Sequence, residues 1–327
     1  MTIEEELKAI QDTLEYMKSL LVTANSTSAE KYGDYLLRWF SLYKEPRNRS
    51  NTSIDMMKSI RRYILPEIGN VPLTDLSGDL LQATLNKIER SNTRNKVALI
   101  LHGSLDKAVK LRLLQHNPYD VVEIRRHRPV HYKPLNGAQQ RDLLSLVDRD
   151  HYRAVMKVLI CTGLRIGEFL ALDFDEIDYE KRYIFVDKTV DVKTGERQPY
   201  PKTESSIRKV PFLPDLEDDL REISDNVKKG QSLTYNAIKE YFQKRYQKMG
   251  IKRNIHSMRH TFVSMAYYAG VPMKTIQRTV GHATLEMTMN VYTHVINPDE
   301  SPYVKYFFSL AEDVKKRPTD FWCFDTA

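Results

Sequence analysis

Between residues 182 and 212 the chain loses the helical period that governs almost everything around it. The stretch RYIFVDKTVDVKTGERQPYPKTESSIRKVPF is rich in β-branched and aromatic residues. Thr194-Gly195 and three prolines punctuate it, which reads as two or three antiparallel strands. Apolar residues on either side recur at helical spacing. The fold class is therefore mainly α with a small antiparallel β-sheet, an α+β arrangement in the second half of the chain.

At 327 residues the chain is long enough for two cored domains. Residues 1–27 contain IEEELKAIQDTLEYMKSLLV, with Leu7, Ile10, Leu14, Met17 and Leu21 at nearly heptad spacing. This predicts an amphipathic N-terminal helix that needs a partner face. Residues 28–128 read as all-helical. The expected helices are YGDYLLRWFSLY, SNTSIDMMKSIRRYILPEIG (closed by Pro66 and Gly69), TDLSGDLLQATLNKIE and NTRNKVALILHGSLDKAVKLRLL. The segment RRHRPVHYKP is basic and broken by proline, and its end, residues 129–134, is the expected linker to a second domain over 135–327.

The net charge of +7 is uneven. Residues 31–132 carry 18 basic and 10 acidic side chains, a net +8, whereas residues 1–30 are net −4. A basic domain beside a near-neutral one suits a polyanion partner, although a generic solubility charge also fits. Arg61, Arg62, Arg94, Lys96, Lys107, Lys110 and Arg112 lie along the predicted helices and together read as a phosphate-tracking surface. No apolar run approaches the ~20 residues of a membrane span. The acidic start MTIEEELKAI has no signal-peptide pattern. The two cysteines, Cys161 and Cys323, sit in no metal-ligand spacing, so a reducing, cytoplasmic compartment is expected.

Four stretches carry candidate chemistry. In CTGLRIGEFLALDFDEID, Gly163 suits a positive φ that opens a sharp entry to the next helix. Arg165 then falls near the helix N-terminus, with Glu168 at i+3 to orient it. Taken alone, an exposed Arg–Glu helix pair is the simpler reading. In IHSMRH, His256 and Arg259 project from one helix face, and His260 is expected to support structure. In GVPMKTIQRTVGHATLEMTMNVYTHV, Pro272 opens a helix, Gly281 ends it before His282, and Thr284 caps the next helix, which bears Tyr292. In YPKTESSIRKVPF, Lys202 lies at a strand edge or turn. An exposed edge lysine is the plain alternative there, and Lys193 competes for any role.

The order of these stretches is more specific than any one of them. T-G-L-R-x-G-E, P-K-T-x-S-S-x-R, H-x-x-R-H, G-H and a tyrosine follow one another as in the tyrosine recombinase family, the phage-integrase type, which residues 133–300 resemble. The helical basic domain resembles that family's core-type DNA-binding domain. The resemblance implies a two-domain DNA clamp. It implies that Arg165 and Arg259 grip the scissile phosphate and that Lys202 protonates the leaving 5′ oxygen. His256 would handle a proton, His282 would contact the phosphate, Glu168 would support the site and Tyr292 would be the nucleophile. No metal or other cofactor is implied. The implied partners are double-stranded DNA at specific sites, a homotetramer around a Holliday junction, and an accessory bending or directionality factor. Integration or excision of a mobile element is the expected outcome. Dimer resolution and type IB topoisomerase-like strand transfer are the alternatives. The tail after Tyr292 ends in Phe321, Trp322 and Phe324 and is expected to dock, either on a neighbouring protomer or on its own domain.

Overall fold

The computed structural model describes residues 30–47, 50–124, 133–198, 207–230, 233–292 and 299–316; side chains are not described at 50, 51 and 290–292. The predicted N-terminal helix, most of the expected linker, Lys202 and the aromatic C-terminus lie outside the described residues. The chain divides into two compact units, one up to Pro129 and one from Val130 onward.

The described residues of the first unit are mainly helical. It comprises α1 (Tyr32–Trp39), α2 (Ser50–Ser59), α3 (Leu65–Ile68), α4 (Gly78–Asn86) and α5 (Ser91–Lys110). Tyr32, Leu36, Ile60, Ile64, Leu81, Leu85, Leu101 and Leu105 meet in its core. Two tyrosines pin α1 to α5, because the Tyr32 hydroxyl meets Ser104 Oγ at 2.8 Å and the Tyr35 hydroxyl donates to the Ser104 carbonyl at 2.8 Å. Buried hydroxyls need such partners.

Pro66 does not close the second helix as the sequence suggests. It sits in the first turn of α3, and the helix passes through it by widening to a π turn over Ile60–Ile64, where the Leu65 N–H donates to the Ile60 carbonyl. A proline lacks the N–H for the next helical bond and crowds the carbonyl four residues back. A wider turn relieves both. Ser77 caps α4 through the Leu80 N–H.

The second unit opens with α6 (Gly137–Leu146), α7 (Asp150–Thr162) and the short α8 (Ile166–Leu170). Four short strands follow: β1 (Tyr183–Val186), β2 (Thr189–Val190), β3 (Arg197–Gln198) and β4 (Arg208–Pro211). Among the described residues they form two antiparallel pairs, β1 with β4 and β2 with β3. Ile184 and Val186 face the core while Phe185 faces outward, the period-2 signature of a half-buried strand. Helices α9 (Glu217–Lys228), α10 (Tyr235–Lys248), α11 (His256–Tyr268), α12 (Met273–Val280), α13 (Leu285–Tyr292) and α14 (Val304–Lys316) complete the unit.

Helices α7 and α11 form the centre of this core through Val155, Leu159, Ile160, Met258, Phe262 and Val263. Helix α14 packs on the same core with Phe307, Leu310 and Val314. The Phe262 and Phe307 rings lie 5.7 Å apart, and the Tyr306 hydroxyl accepts from the Leu213 N–H. Of the two expectations for the tail, docking on its own domain therefore holds for residues 304–316, whose apolar face is buried in their own unit.

Phe307→Ala is expected to cost about 3–5 kcal/mol of unfolding free energy by deleting a fully buried aromatic ring. Denaturant unfolding checks this at two protein concentrations tenfold or more apart. The loss is the same at both if α14 packs within its own chain. A loss that appears only in the concentrated sample would place the helix on a partner.

Candidate active site

Three consecutive carbonyls at the end of α12 organise the site. The last carbonyls of a helix have no intrahelical partner and carry the negative end of its dipole, so they favour cations. Here each holds a different arginine. Arg208 Nε donates to the Thr279 carbonyl at 2.5 Å, Arg259 Nη2 to the Val280 carbonyl, and Arg165 Nη2 to the Gly281 carbonyl at 2.8 Å. Gly281 makes this possible. Its φ of 65° is left-handed, ends the helix and turns the chain toward His282.

A second glycine turn faces the first. Gly163 ends α7 at φ 66°, and its carbonyl accepts from Arg259 Nη1 at 2.8 Å. A Cβ added to Gly163 would fall 2.6 Å from the Phe262 ring, so both backbone and packing require glycine. Arg259 is 2% exposed, and its Nε is buried without a hydrogen-bond partner. Burial, then Arg165 and Arg208, push its pKa well below the ordinary guanidinium value. Guanidinium does not lose its proton in proteins. The consequence is a buried cation that an added anion would stabilise.

One buried carboxylate balances the arginines. Glu168, 2% exposed, accepts from Arg165 Nη1 at 2.7 Å and from the Arg165 backbone N–H at 2.8 Å. It also accepts from Arg208 Nη1 at 3.1 Å and Nη2 at 2.9 Å. Burial alone would raise its pKa, but Arg208, then Arg165 and Arg259, outweigh burial and hold it at about 2. The Arg165–Glu168 pair is thus no exposed helix pair. Its carboxylate lies in the core.

Two histidines stand at the rim. His282 Nδ1 lies 3.0 Å from Thr288 Oγ1, which leaves Nε2 for an incoming group. The His256 ring is exposed and sits edge-on to His260, centroids 4.7 Å apart. Close packing and then the cationic surroundings lower both pKa values to about 3: His260, Arg259 and Arg165 act on His256, and Arg259 and Arg165 act first on His282. His256 reaches solvent, so for it the cation repulsion is the more durable cause.

The structure thus brings Arg165, Glu168, His256, Arg259 and His282 together. Tyr292 is the last residue of α13, which packs on α11; its side chain, like Lys202, lies outside the description. Two contributors escaped the sequence reading. Thr288 had no signal beyond its place on the helix after His282. Arg208 closes the quoted motif P-K-T-x-S-S-x-R and drew no role.

The predicted DNA-facing residues behave unequally. Arg94 donates to the Ile88 carbonyl at 2.9 and 2.7 Å, closing the chain end beyond α4. Lys110 pairs with Asp106 one turn earlier. Lys107 and Arg62 sit over the rings of Tyr43 and Tyr63, while Lys96 and Arg112 are exposed and Arg61 is half-buried.

Comparison with known proteins places this geometry. The sequence profile described as Phage integrase family matches residues 133–297, and that described as Phage integrase, N-terminal SAM-like domain, matches residues 31–88. A tyrosine recombinase XerC-like protein of Caldanaerobacter subterraneus subsp. tengcongensis is 31% identical over 179 residues, 44% of this chain and 46% of that protein. The chain thus spans about half the length of that relative. The prophage ps2 probable integrase of Lactococcus lactis subsp. lactis is 26% identical over 84% of this chain and 82% of its own length. A solved structure of the Tn1549 transposon integrase in complex with circular intermediate DNA superposes with a TM-score of 0.69 at 19% identity, over 82% of this chain and 96% of that one. That likeness shows the fold.

Both histidines are expected to be neutral in the DNA-free protein at neutral pH. Their folded pKa values lie below the unfolded 6.5, so the stability they contribute is complete above about pH 6.5 and is lost as the pH falls toward about 3. Ring-proton NMR checks this. Both rings should still be neutral at about pH 5, and a midpoint near 6.5 for His282 would remove the electrostatic argument.

Proposed function

Because the chain belongs to the phage integrase family, we propose that it is a site-specific DNA recombinase of a mobile element, acting by tyrosine-mediated strand exchange. The observation that carries this reading is the convergence of Arg165, Arg259, His256 and His282 on one pocket held by a buried glutamate. Such a pocket suits a phosphodiester. Its non-bridging oxygens gain charge during attack, and preorganised guanidinium groups stabilise that charge.

In this reading the Tyr292 oxygen attacks phosphorus and the bond to the 5′ oxygen breaks. A 3′-phosphotyrosyl ester forms, and the leaving oxygen takes a proton from Lys202. His256 receives the phenol proton. In the free site it is a weak base, because neighbouring cations disfavour its charged form. A bound phosphate offsets those cations and raises its basicity, so the base gains strength when substrate is present. His282 contacts a phosphate oxygen through Nε2, and Glu168 holds Arg165. The attack of a second strand's 5′ hydroxyl reverses the step and conserves the bond, so no nucleotide cofactor is needed.

Site-specific double-stranded DNA is the substrate, and the basic first unit contributes phosphate contacts through Arg61, Arg62, Lys96, Lys107 and Arg112. Two exchanges in a homotetramer pass through a Holliday junction, with integration or excision as the outcome and an accessory bending or directionality factor as a further partner. The reaction belongs in the cytoplasm, where the element's DNA lies. The names of the prophage and transposon relatives support the mobile-element assignment over dimer resolution.

A nicked suicide duplex spanning the end of the DNA element that encodes the chain tests the reading. The wild-type protein should become covalently attached to DNA on a denaturing gel, and Tyr292→Phe should not. Tight binding with no adduct from the wild type would instead mark a DNA-binding regulator. Relaxation of supercoils without any joining of two duplexes would mark a topoisomerase.

A further inference from the structure

Arg208 is buried at 3% exposure on β4, yet it reaches two elements that carry the pocket. Its Nη1 and Nη2 grip both oxygens of Glu168, and its Nε donates to the Thr279 carbonyl of α12. Glu168 in turn holds the guanidinium and the backbone N–H of Arg165. The Thr279 carbonyl is first in the row of three whose other members hold Arg259 and Arg165. A bidentate guanidinium–carboxylate pair fixes direction as well as distance.

We infer that Arg208 is a positioning residue for the phosphate clamp: it locks Glu168 and the end of α12 in the geometry that aims Arg165, without itself touching DNA. The inference rests on the proposed strand-exchange reading. Its physical basis is charge and shape together. Without Arg208, the carboxylate keeps Arg165 as its sole side-chain partner among those described above. No longer gripped by the guanidinium fork, the carboxylate can rotate, and Arg165 turns with it from the phosphate. A misplacement of about 1 Å in such a group costs roughly 10²-fold in rate.

The test compares two scissile linkages in the same nicked duplex: an ordinary phosphodiester and a methylphosphonate, which lacks the charged oxygen that the arginines neutralise. Wild type, Arg208→Met, which keeps the length of the stem without the charge, and Arg208→Lys, which keeps the charge without the fork, are assayed by single-turnover strand cleavage. Gel-shift binding to the uncleaved duplex is measured alongside.

The expected result is a loss of roughly 10²-fold for Arg208→Met on the phosphodiester, with binding unchanged. On the methylphosphonate the same variant should lose less than about tenfold relative to wild type, because the clamp has less charge to hold. Arg208→Lys should fall between wild type and Arg208→Met on the phosphodiester, and it carries the comparison if Arg208→Met does not fold. Equal proportional losses on both linkages would overturn the inference and leave Arg208 a residue of general stability. So would wild-type rates in both variants. Failure of wild type to cleave the phosphodiester would overturn the strand-exchange reading itself, a distinct outcome.

Discussion

The site depends on a single buried carboxylate. Glu168 lies among three guanidinium groups that would otherwise repel one another across a few ångströms of low-dielectric interior. A buried ion pair is no guarantee of net stability, but removing one partner of such a pair is costly, about 3–5 kcal/mol, because the other charge stays behind. Here the carboxylate serves more than one arginine, so its loss would leave several charges uncompensated. That is why a glutamate at the third position of a five-residue helix has a pKa near 2 despite its burial. One negative charge against three positive ones also leaves the pocket cationic. The imbalance is what makes it a receptor for an anion.

The carbonyls at two helix ends complete the arrangement. Gly163 and Gly281 both take the left-handed conformation, and each turns a helix terminus so that its last carbonyls face the arginines. The two turns come from segments far apart in sequence, and apolar packing of α7 on α11, with Ile276 and Val280 of α12 in the same core, brings them together. The hydrophobic core therefore sets the distance between the turns, and the turns set the orientation of the guanidinium groups. Function is attached to the fold through backbone oxygens more than through side-chain pairs.

Much of this was legible in the sequence because local rules set it. A glycine before an arginine, a glutamate three residues on, a proline at a helix start and a threonine at a cap each act within one turn of chain, and Pro272, Thr284 and Glu168 stand where those rules put them. What was not legible depends on distance. Arg208 reads as one more basic residue on a strand until Glu168, forty positions earlier, is seen to meet it. Whether helix α14 docks on its own domain or on a neighbour is open until Phe307 is seen against Phe262. Pro66 reads as a stop because the rule for proline assumes an α-helix, whereas a π turn removes the clash on which the rule is based. The pairing of β2 with β3 was likewise unreadable, because strands of two residues carry no periodic signal.

The same distinction separates the two kinds of positive charge in this protein. In the first unit a basic residue is not thereby a DNA contact. Arg94 satisfies backbone carbonyls at a chain reversal and Lys110 answers an aspartate one turn away, so much of their charge is answered locally. At the site of the second unit Arg208 and Arg259 are buried and Arg165 is half-buried, and their charge is only partly answered. Exposed cations are screened within about 10 Å at ordinary salt, whereas buried ones are screened far less. The first unit's excess charge therefore acts as a diffuse, salt-sensitive attraction. The pocket acts as a short-range and directional one. The neutral state of His256 and His282 follows from close packing and then from this second kind of charge. In the proposed reaction an arriving phosphate would offset these cations and so change the protonation chemistry of the pocket as it fills it.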